Sequence, residues 1–246
     1  MNGGVIIVEG NIGAGKSTFA QHLARALDGE YLPEPADGTN PYLEDYYRDP
    51  ARWAFEMQMF LLTRRYRAQK YAQGKVRHKG GFVVLDRSYY GDVCFANVQR
   101  QLGYFSERDY ETYLSHHADM KVNLEPPAMA IFLCVDTIVC KERINRRLSE
   151  KEGRKCESGI SLDYLDRLDS EIRTLADSMR GNTLVKELPW TAERNDDAIE
   201  HVCEGYALDI KARKQSVYDF WTGTNGICDG WIPSDLKRLA AQKAQQ

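Results

Sequence analysis

The 246-residue sequence predicts an α/β protein with a parallel sheet of about five strands flanked by helices. Short apolar runs of four to six residues alternate with longer segments of helical periodicity. The runs lack polar alternation, which is typical of parallel strands covered on both faces. Hydrophobic residues at 43% and charged residues at 28% are values of an ordinary globular chain. Because no linker rich in Ser, Gly or Pro divides the sequence, we expect a single domain over residues 1–246.

The predicted elements follow one another along the chain in a strand–helix order. The candidate strands are 5–8, a short segment at Tyr31, 82–85, 130–135 and 183–188. The candidate helices are 17–27, 51–72, 90–102, 139–148, 162–179 and 192–213. Ser106, followed three residues later by Asp109, has the pattern of a capping box that opens a helix running to residue 117. The C-terminal extension, about 214–246, carries no recognisable motif, and we expect it to pack against the rest of the domain.

Charge and cysteine usage exclude several classes of protein. The net charge is −3, which gives no basis for a general affinity for nucleic acid. No apolar run approaches the length of a membrane span. The six cysteines form no C-x-x-C pair and no zinc-finger spacing, which suits a reducing compartment, and the first residues show no signal or transit peptide. We therefore expect a cytoplasmic protein without nucleic-acid or membrane partners.

A phosphate-binding loop follows the first predicted strand. The segment E-G-N-I-G-A-G-K-S-T contains G-x-x-x-x-G-K-[ST] directly after a strand and before a helix. In that context backbone amides surround phosphate oxygens and the helix N-terminus favours the anion. Lys16 is expected to reach the β- and γ-phosphates of ATP, and Ser17 to hold Mg²⁺. The predicted loop contacts to ATP are Gly10, Asn11, Ile12, Gly13, Ala14, Gly15, Lys16, Ser17 and Thr18.

Further charged residues follow two other strands at the same edge of the predicted sheet. Asp86 and Arg87 end the strand at 82–85, and Glu34 follows the one at Tyr31. Ligands bind at this edge of α/β sheets. Asp86 is predicted to position Mg²⁺, Arg87 to neutralise charge on a transferring phosphoryl group, and Glu34 to accept a hydroxyl proton. The alternative interpretations are a surface ion pair at the strand end for Asp86 and Arg87, and a simple turn for Glu34. The chain has no guanine-reading N-K-x-D, which argues against a GTPase.

The order of these motifs resembles the deoxyribonucleoside kinases of the deoxyadenosine, deoxyguanosine and deoxycytidine kinase type. The segment at 40–53, N-P-Y-L-E-D-Y-Y-R-D-P-A-R-W, is similar to the bacterial deoxyadenosine kinase branch through N-P-Y-L. Through Y-x-x-P-x-R-W it is similar to the animal deoxycytidine and deoxyguanosine kinases. The resemblance covers residue 5 to about 190. It implies a P-loop kinase fold, an arginine-bearing lid at about 149–159, and a homodimer.

The resemblance also implies a nucleoside pocket. Glu34 matches the general base near the 5′-hydroxyl, a role sometimes assigned to the Asp86 position. Gln58 matches the amide that pairs with the base edge. Arg65 and Asp92 match a pair typical of members that accept purines or deoxycytidine, which argues against thymidine. Other implied substrate contacts are Tyr47, Met57, Arg87, Phe95 (stacked on the base) and Glu157, and other implied ATP contacts are Arg143, Arg147 and Arg154.

These observations predict an ATP- and Mg²⁺-dependent kinase that converts a deoxynucleoside, a purine and first of all deoxyadenosine, to its 5′-monophosphate in nucleotide salvage. The first alternative is a thymidylate-type nucleotide kinase. Such enzymes place an arginine before Glu-Pro, where this chain has Pro33. The second is a non-catalytic nucleotide-binding subunit, which should have lost Lys16, Glu34 or Arg87. Because one Arg/Asp pair serves adenine, guanine and cytosine, their order stays open.

Overall fold

The described part of the chain contains a five-stranded parallel sheet. The computed structural model describes residues 3–34, 40–149, 159–190, 199–208 and 210. The strands are β1 (Gly3–Gly10), β2 (Glu30–Leu32), β3 (Gly81–Asp86), β4 (Met129–Cys134) and β5 (Leu184–Pro189). Their order in the sheet is β2-β3-β1-β4-β5, and every neighbouring pair is parallel. The predicted α/β class is therefore confirmed, with β1 at the centre.

Helices connect the strands and cover the sheet. They are α1 (Lys16–Ala26), α2 (Leu43–Arg48), α3 (Pro50–Lys79), α4 (Asp92–Gln101), α5 (Glu107–Lys121), α6 (Thr137–Leu148) and α7 (Leu162–Met179), and residues 199–208 are also helical. The helix predicted at 162–179 has the observed bounds. The one predicted at 51–72 is longer. It begins at Pro50, after the N-cap residue Asp49, and ends at Lys79. The C-cap residue is Gly80, whose φ of 72° favours glycine.

The hydrophobic core lies in two layers, one on each side of the sheet. Alternate residues of β1 face opposite sides, so Ile6 and Val8 pack with α1, whereas Val5 and Ile7 pack with α4 and α7. A third cluster joins α3 to α2 and α5. This packing fixes the carboxyl end of β1 between the first turns of α1 and α4, where the polar residues converge.

One local prediction, the capping box, can be compared directly with the structure. The capping box is confirmed, because Ser106 and Asp109 each accept from the other's backbone N–H, and α5 runs on to Lys121. Residues 150–158, which include most of the predicted lid, lie outside the described residues, as do 191–198 and 211–246. Across the described ranges, no helix is long and apolar enough to cross a membrane.

Candidate active site

The loop between β1 and α1 has a backbone that requires glycine. Gly13 and Gly15 have φ values of 81° and 91°, in the left-handed region that side chains disfavour. A Cβ on Gly13 would lie 2.5 Å from the carbonyl oxygen of Cys140, a backbone atom that cannot move aside. The glycine spacing seen in the sequence is therefore a steric requirement of the loop.

Lys16 lies folded back inside this loop. Its Nζ donates to the carbonyl oxygen of Asn11 at 2.7 Å, and the residue is only 6% exposed. Burial, together with the positive charge of Arg87, lowers the pKa of Lys16 to about 8, although Asp86 and Glu34 oppose the shift. The ammonium group is thus held against a desolvation cost that a bound phosphate would offset.

Ser17 and Asp86 meet at the first turn of α1. The Ser17 hydroxyl donates to Asp86 Oδ2 at 2.5 Å, and the Tyr31 hydroxyl donates to the same oxygen at 3.3 Å. Asp86 Oδ1 is buried and has no hydrogen-bond partner among the described residues. Burial raises the pKa of Asp86, although the charge of Lys16 acts in the opposite direction. A cation would satisfy the orphaned oxygen and hold the carboxylate in its charged form.

This pair fits Mg²⁺, which binds oxygen ligands and retains water and phosphate in its shell. Within the described ranges, no group of three His, Cys, Asp or Glu residues could hold a metal. Mg²⁺ is usually held by one or two carboxylates and takes its other ligands from water and phosphate oxygens.

Arg87 connects the phosphate loop to Glu34. It follows β3 with a φ of 65°, and its N–H donates to the carbonyl oxygen of Val8 at 3.0 Å. Its guanidinium donates from Nη1 to the carbonyl oxygen of Gly10 at 3.0 Å, and its Nε lies 2.9 Å from Glu34 Oε1. The arginine predicted to stabilise phosphoryl charge is therefore placed at the phosphate loop.

Glu34 lies between two arginines. Its Oε1 also accepts from Arg65 Nη2 at 2.8 Å. Burial alone would raise the pKa of the Glu34 carboxyl, but the charges of Arg87 and Arg65 outweigh it and lower the pKa to about 2. The carboxylate is consequently ionised throughout the physiological range.

A second buried cluster surrounds Asp92 at the start of α4. Its side chain is fully buried and accepts from Arg65 Nη1, from Gln58 Nε2 at 2.7 Å and from the Tyr113 hydroxyl at 2.7 Å. Gln99 donates to Gln58 Oε1 at 2.9 Å. The Gln58 amide is held at both ends, and Asp92 keeps one acceptor position for a further donor.

The other predicted site residues lie around these clusters. Phe95 lies beneath Arg87 and Arg65, with its ring centroid 4.7 and 5.1 Å from their guanidinium carbons, and its stacking on a base stays a prediction. Arg143 on α6 donates to the carbonyl oxygen of Ala14 at 3.1 Å. The rest are Met57, which is buried, Tyr47 and Arg147, which are half-buried, and Arg154 and Glu157, which lie outside the described residues.

Sequence reasoning missed several residues of the site. Glu9 is buried beside Arg87 and Ser88. It had a signal in the sequence, because it is a charge at the end of an apolar strand. Tyr113 and Gln99, by contrast, had no such signal, because the packing of α5 and α4 alone decides which of their polar side chains reach the Asp92 cluster.

Comparison with known proteins gives a consistent result. A sequence model of the deoxynucleoside kinase family matches residues 6–204. The chain is 38% identical over 167 residues to a deoxyguanosine kinase of Dictyostelium discoideum, covering 68% of this chain and 56% of that protein. It is 36% identical to a deoxyadenosine kinase of the same organism, with coverages of 68% and 64%. The chain thus spans less than two thirds of both. A deoxyadenosine/deoxycytidine kinase of Bacillus subtilis is 35% identical, with coverages of 67% and 72%.

Solved structures show the same fold. A deoxyadenosine kinase from M. mycoides, with dCMP and dCDP bound, superposes with a TM-score of 0.71 at 25% identity, covering 83% of this chain and 99% of that one. The same enzyme with bound dATP gives a TM-score of 0.69 at 26% identity, with coverages of 82% and 98%. The predicted P-loop kinase fold is therefore confirmed.

Proposed function

The chain belongs to the deoxynucleoside kinase family, and on that premise we propose that it transfers the γ-phosphoryl group of Mg-ATP to the 5′-hydroxyl of a deoxynucleoside. The products are the 5′-monophosphate and ADP. The observation that carries this proposal is the Glu34 carboxylate, which lies against Arg87 at the mouth of the phosphate loop. The proposed proton acceptor, Glu34, and the cation proposed to bind the phosphoryl group, Arg87, are therefore in direct contact.

The donor side is served by the phosphate loop. Backbone amides of the loop and Lys16 bind the phosphates, and Ser17 with Asp86 would hold the Mg²⁺ ion that neutralises charge on them when bound. Arg87 donates to the loop carbonyl of Gly10, so its guanidinium lies beside the phosphate loop and is proposed to bind an equatorial phosphoryl oxygen. Such a charge contact strengthens as the phosphoryl group separates from ADP.

The acceptor side depends on Glu34. A carboxylate with a pKa of about 2 is a weak base in the free protein. In a loose phosphoryl-transfer transition state the attacking hydroxyl keeps its proton until late, so the carboxylate first orients the hydroxyl and receives the proton afterwards.

The base is selected by the buried cluster around Asp92. Arg65 offers donors and the Asp92 carboxylate an acceptor, so a base that presents an exocyclic amino group next to a ring acceptor pairs with both. Thymine would place a carbonyl oxygen against the carboxylate. The two Dictyostelium relatives are named as purine deoxynucleoside kinases. We therefore propose a purine preference, with deoxyadenosine first, and a role in nucleotide salvage.

An ADP-release assay with Mg-ATP across the four deoxynucleosides and their monophosphates tests this proposal. We expect the highest kcat/KM with deoxyadenosine, and a loss of about 10²- to 10⁴-fold in Glu34→Gln. Glu30→Gln is the matched control. It changes the same residue type four positions earlier, where Glu30 pairs with Lys75 on the surface.

Each other outcome points to one alternative. Turnover with monophosphates alone would identify a thymidylate-type nucleotide kinase. ATP binding without any turnover would identify a non-catalytic subunit. The homodimer implied by the family resemblance and the cytoplasmic location expected from the cysteine usage are further parts of the proposal, and sedimentation equilibrium of the purified protein tests the dimer.

A further inference from the structure

Glu9 is a buried carboxylate for which the proposed reaction has no use. It is the last side-chain-bearing residue of β1 and lies on the face shared with Val5 and Ile7, which pack against the apolar sides of α4 and α7. It is 1% exposed, and burial raises the pKa of its carboxyl, against the charge of Arg87 and a hydrogen bond from Ser88. A buried carboxylate destabilises the fold unless hydrogen bonds or opposite charges compensate for its lost hydration, so the contacts of Glu9 indicate what it does.

Those contacts are to one turn. Glu9 Oε1 accepts from the N–H of Ser88 at 2.9 Å and from its hydroxyl at 2.7 Å. The Ser88 Oγ then accepts from the N–H of Tyr90 at 3.1 Å and of Gly91 at 3.3 Å. Two hydrogen bonds thus join the segment between β3 and α4 to the end of β1, and two more hold the turn together on the Ser88 hydroxyl.

The close approach of the carboxylate leaves no room for a side chain on the turn. A Cβ on Gly91 would lie 2.4 Å from Glu9 Oε1 and 2.5 Å from Oε2. The backbone of Gly91 has an ordinary helical φ of −74°, so conformational strain is not the reason for glycine there. Glycine is required because the turn is drawn against the Glu9 carboxylate.

Arg87 is the residue held by this arrangement. Its φ of 65° is unfavourable for a side-chain-bearing residue, and such conformations persist only where neighbouring contacts enforce them. On one side its N–H is bonded to Val8, and on the other Ser88 is bonded to Glu9. Its Nη1 lies 3.9 Å from Glu9 Oε2 and donates to Gly10.

We propose that Glu9 is a positioning residue that holds the turn at 87–91, and so keeps the Arg87 guanidinium between the phosphate loop and Glu34. This inference rests on the proposed function, since Arg87 is its point of action. Glu9 touches neither phosphate nor nucleoside in this role. Its loss should therefore impair the transfer step more than the binding of ATP.

The first test is independent of activity. Amide hydrogen exchange is measured on peptides that cover residues 86–92 in Glu9→Ala, Ser88→Ala, Glu9→Gln and the control Ile7→Val, which removes one methyl group from the same strand face. We expect exchange to accelerate about tenfold or more in the first two variants. Glutamine retains the acceptor oxygen, so Glu9→Gln should stay within about threefold of the parent protein. Unchanged exchange in both Glu9→Ala and Ser88→Ala would overturn the proposal.

The second test is kinetic. Below the melting temperature of every variant, Glu9→Ala and Ser88→Ala should lower kcat by about 10- to 100-fold with a smaller change in KM for ATP, and Glu9→Gln should restore most of kcat. A loss of kcat in Ile7→Val as large as in Glu9→Ala would show a general packing effect and overturn the positioning role, as would an unchanged kcat in Glu9→Ala. If Glu9→Ala does not fold, Ser88→Ala removes the same contacts from the other side. If the parent protein phosphorylates no deoxynucleoside, the proposed function fails, and the exchange rates alone decide whether Glu9 holds the turn.

Discussion

Arg65 Nη2 donates to the Glu34 carboxylate at 2.8 Å in a nearly buried ion pair, so the proposed catalytic carboxylate is bound to an arginine of the base-selecting cluster. The other terminal nitrogen of Arg65 is bonded to Asp92. One planar guanidinium therefore spans the proposed site for the 5′-hydroxyl and the proposed site for the base. A nucleoside that engages Asp92 must affect the arginine that pairs with Glu34.

Replacement of this arginine by lysine should break the bridge. A lysine ammonium is a point charge and cannot serve two carboxylates in the planar fork geometry of arginine. We expect Arg65→Lys to lower kcat/KM for deoxyadenosine by about 10²-fold or more and to destabilise the fold by about 3 kcal/mol, because one carboxylate loses its partner. Steady-state kinetics and thermal unfolding measure both effects. Arg64→Lys, on the exposed face of the same helix, should change neither, and equal losses in both variants would contradict the bridging role.

Replacement of Lys16 by an uncharged residue should abolish function and yet raise the stability of the ligand-free protein. The folded-state pKa of about 8 lies below the usual value of 10.5, so the folded protein binds fewer protons than the unfolded chain between these values, and stability rises with pH there. At pH 7 the buried charge lowers stability. Lys16→Met should therefore abolish ATP binding yet stabilise the ligand-free protein at pH 7 by about 1–3 kcal/mol.

The pH dependence of this gain is its distinguishing feature. The stability difference between Lys16→Met and the parent should shrink as pH rises from about 8 towards 10.5, because the parent lysine then loses its proton on folding at progressively less cost. Denaturant unfolding of both proteins across this range is the measurement. A pH-independent difference would show that the change in packing, and not the charge, is responsible.

Replacement of Asp86 tests the proposed Mg²⁺ site. Its Oδ1 is orphaned and its Oδ2 accepts from Ser17, so an asparagine would keep one acceptor oxygen but lose the charge. We expect Asp86→Asn to remove the Mg²⁺ dependence of ATP affinity and to lower kcat by about 10²- to 10³-fold. Titration of ATP with and without Mg²⁺ by calorimetry checks the first effect. Tyr31→Phe removes the longer hydrogen bond to Asp86 and leaves both Asp86 and Ser17 in place, so its Mg²⁺ dependence should persist.

Much of the fold and part of the site could be predicted from the sequence because their signals are local. The phosphate loop, Asp86 and Arg87 each follow an apolar strand, and parallel strands bring their carboxyl ends to one edge. The bounds of α3 were less predictable. Its last turn is polar and exposed and gives no apolar periodicity, and the helix begins after the N-cap Asp49 and ends before the C-cap Gly80. Asp92 lies on α4 and its side-chain partners come from α3 and α5, and the relative placement of these three helices depends on packing over the whole chain.

Tyr113 of α5 is one of the partners of Asp92 that the sequence did not predict, and its replacement should affect stability and nucleoside binding. Its hydroxyl donates to the buried Asp92 carboxylate at 2.7 Å, and hydrogen bonds to charged groups contribute about 1.5–3 kcal/mol. Tyr113→Phe should lower the free energy of unfolding by this amount. It should also raise KM for deoxyadenosine several-fold while leaving kcat within about threefold, because the proposed role of Asp92 is to bind the base and not the phosphoryl group. Tyr110→Phe, on the same helix, removes a hydrogen bond to Asn97 and should leave KM unchanged. A fall in kcat with constant KM in Tyr113→Phe would place Asp92 on the path of phosphoryl transfer instead.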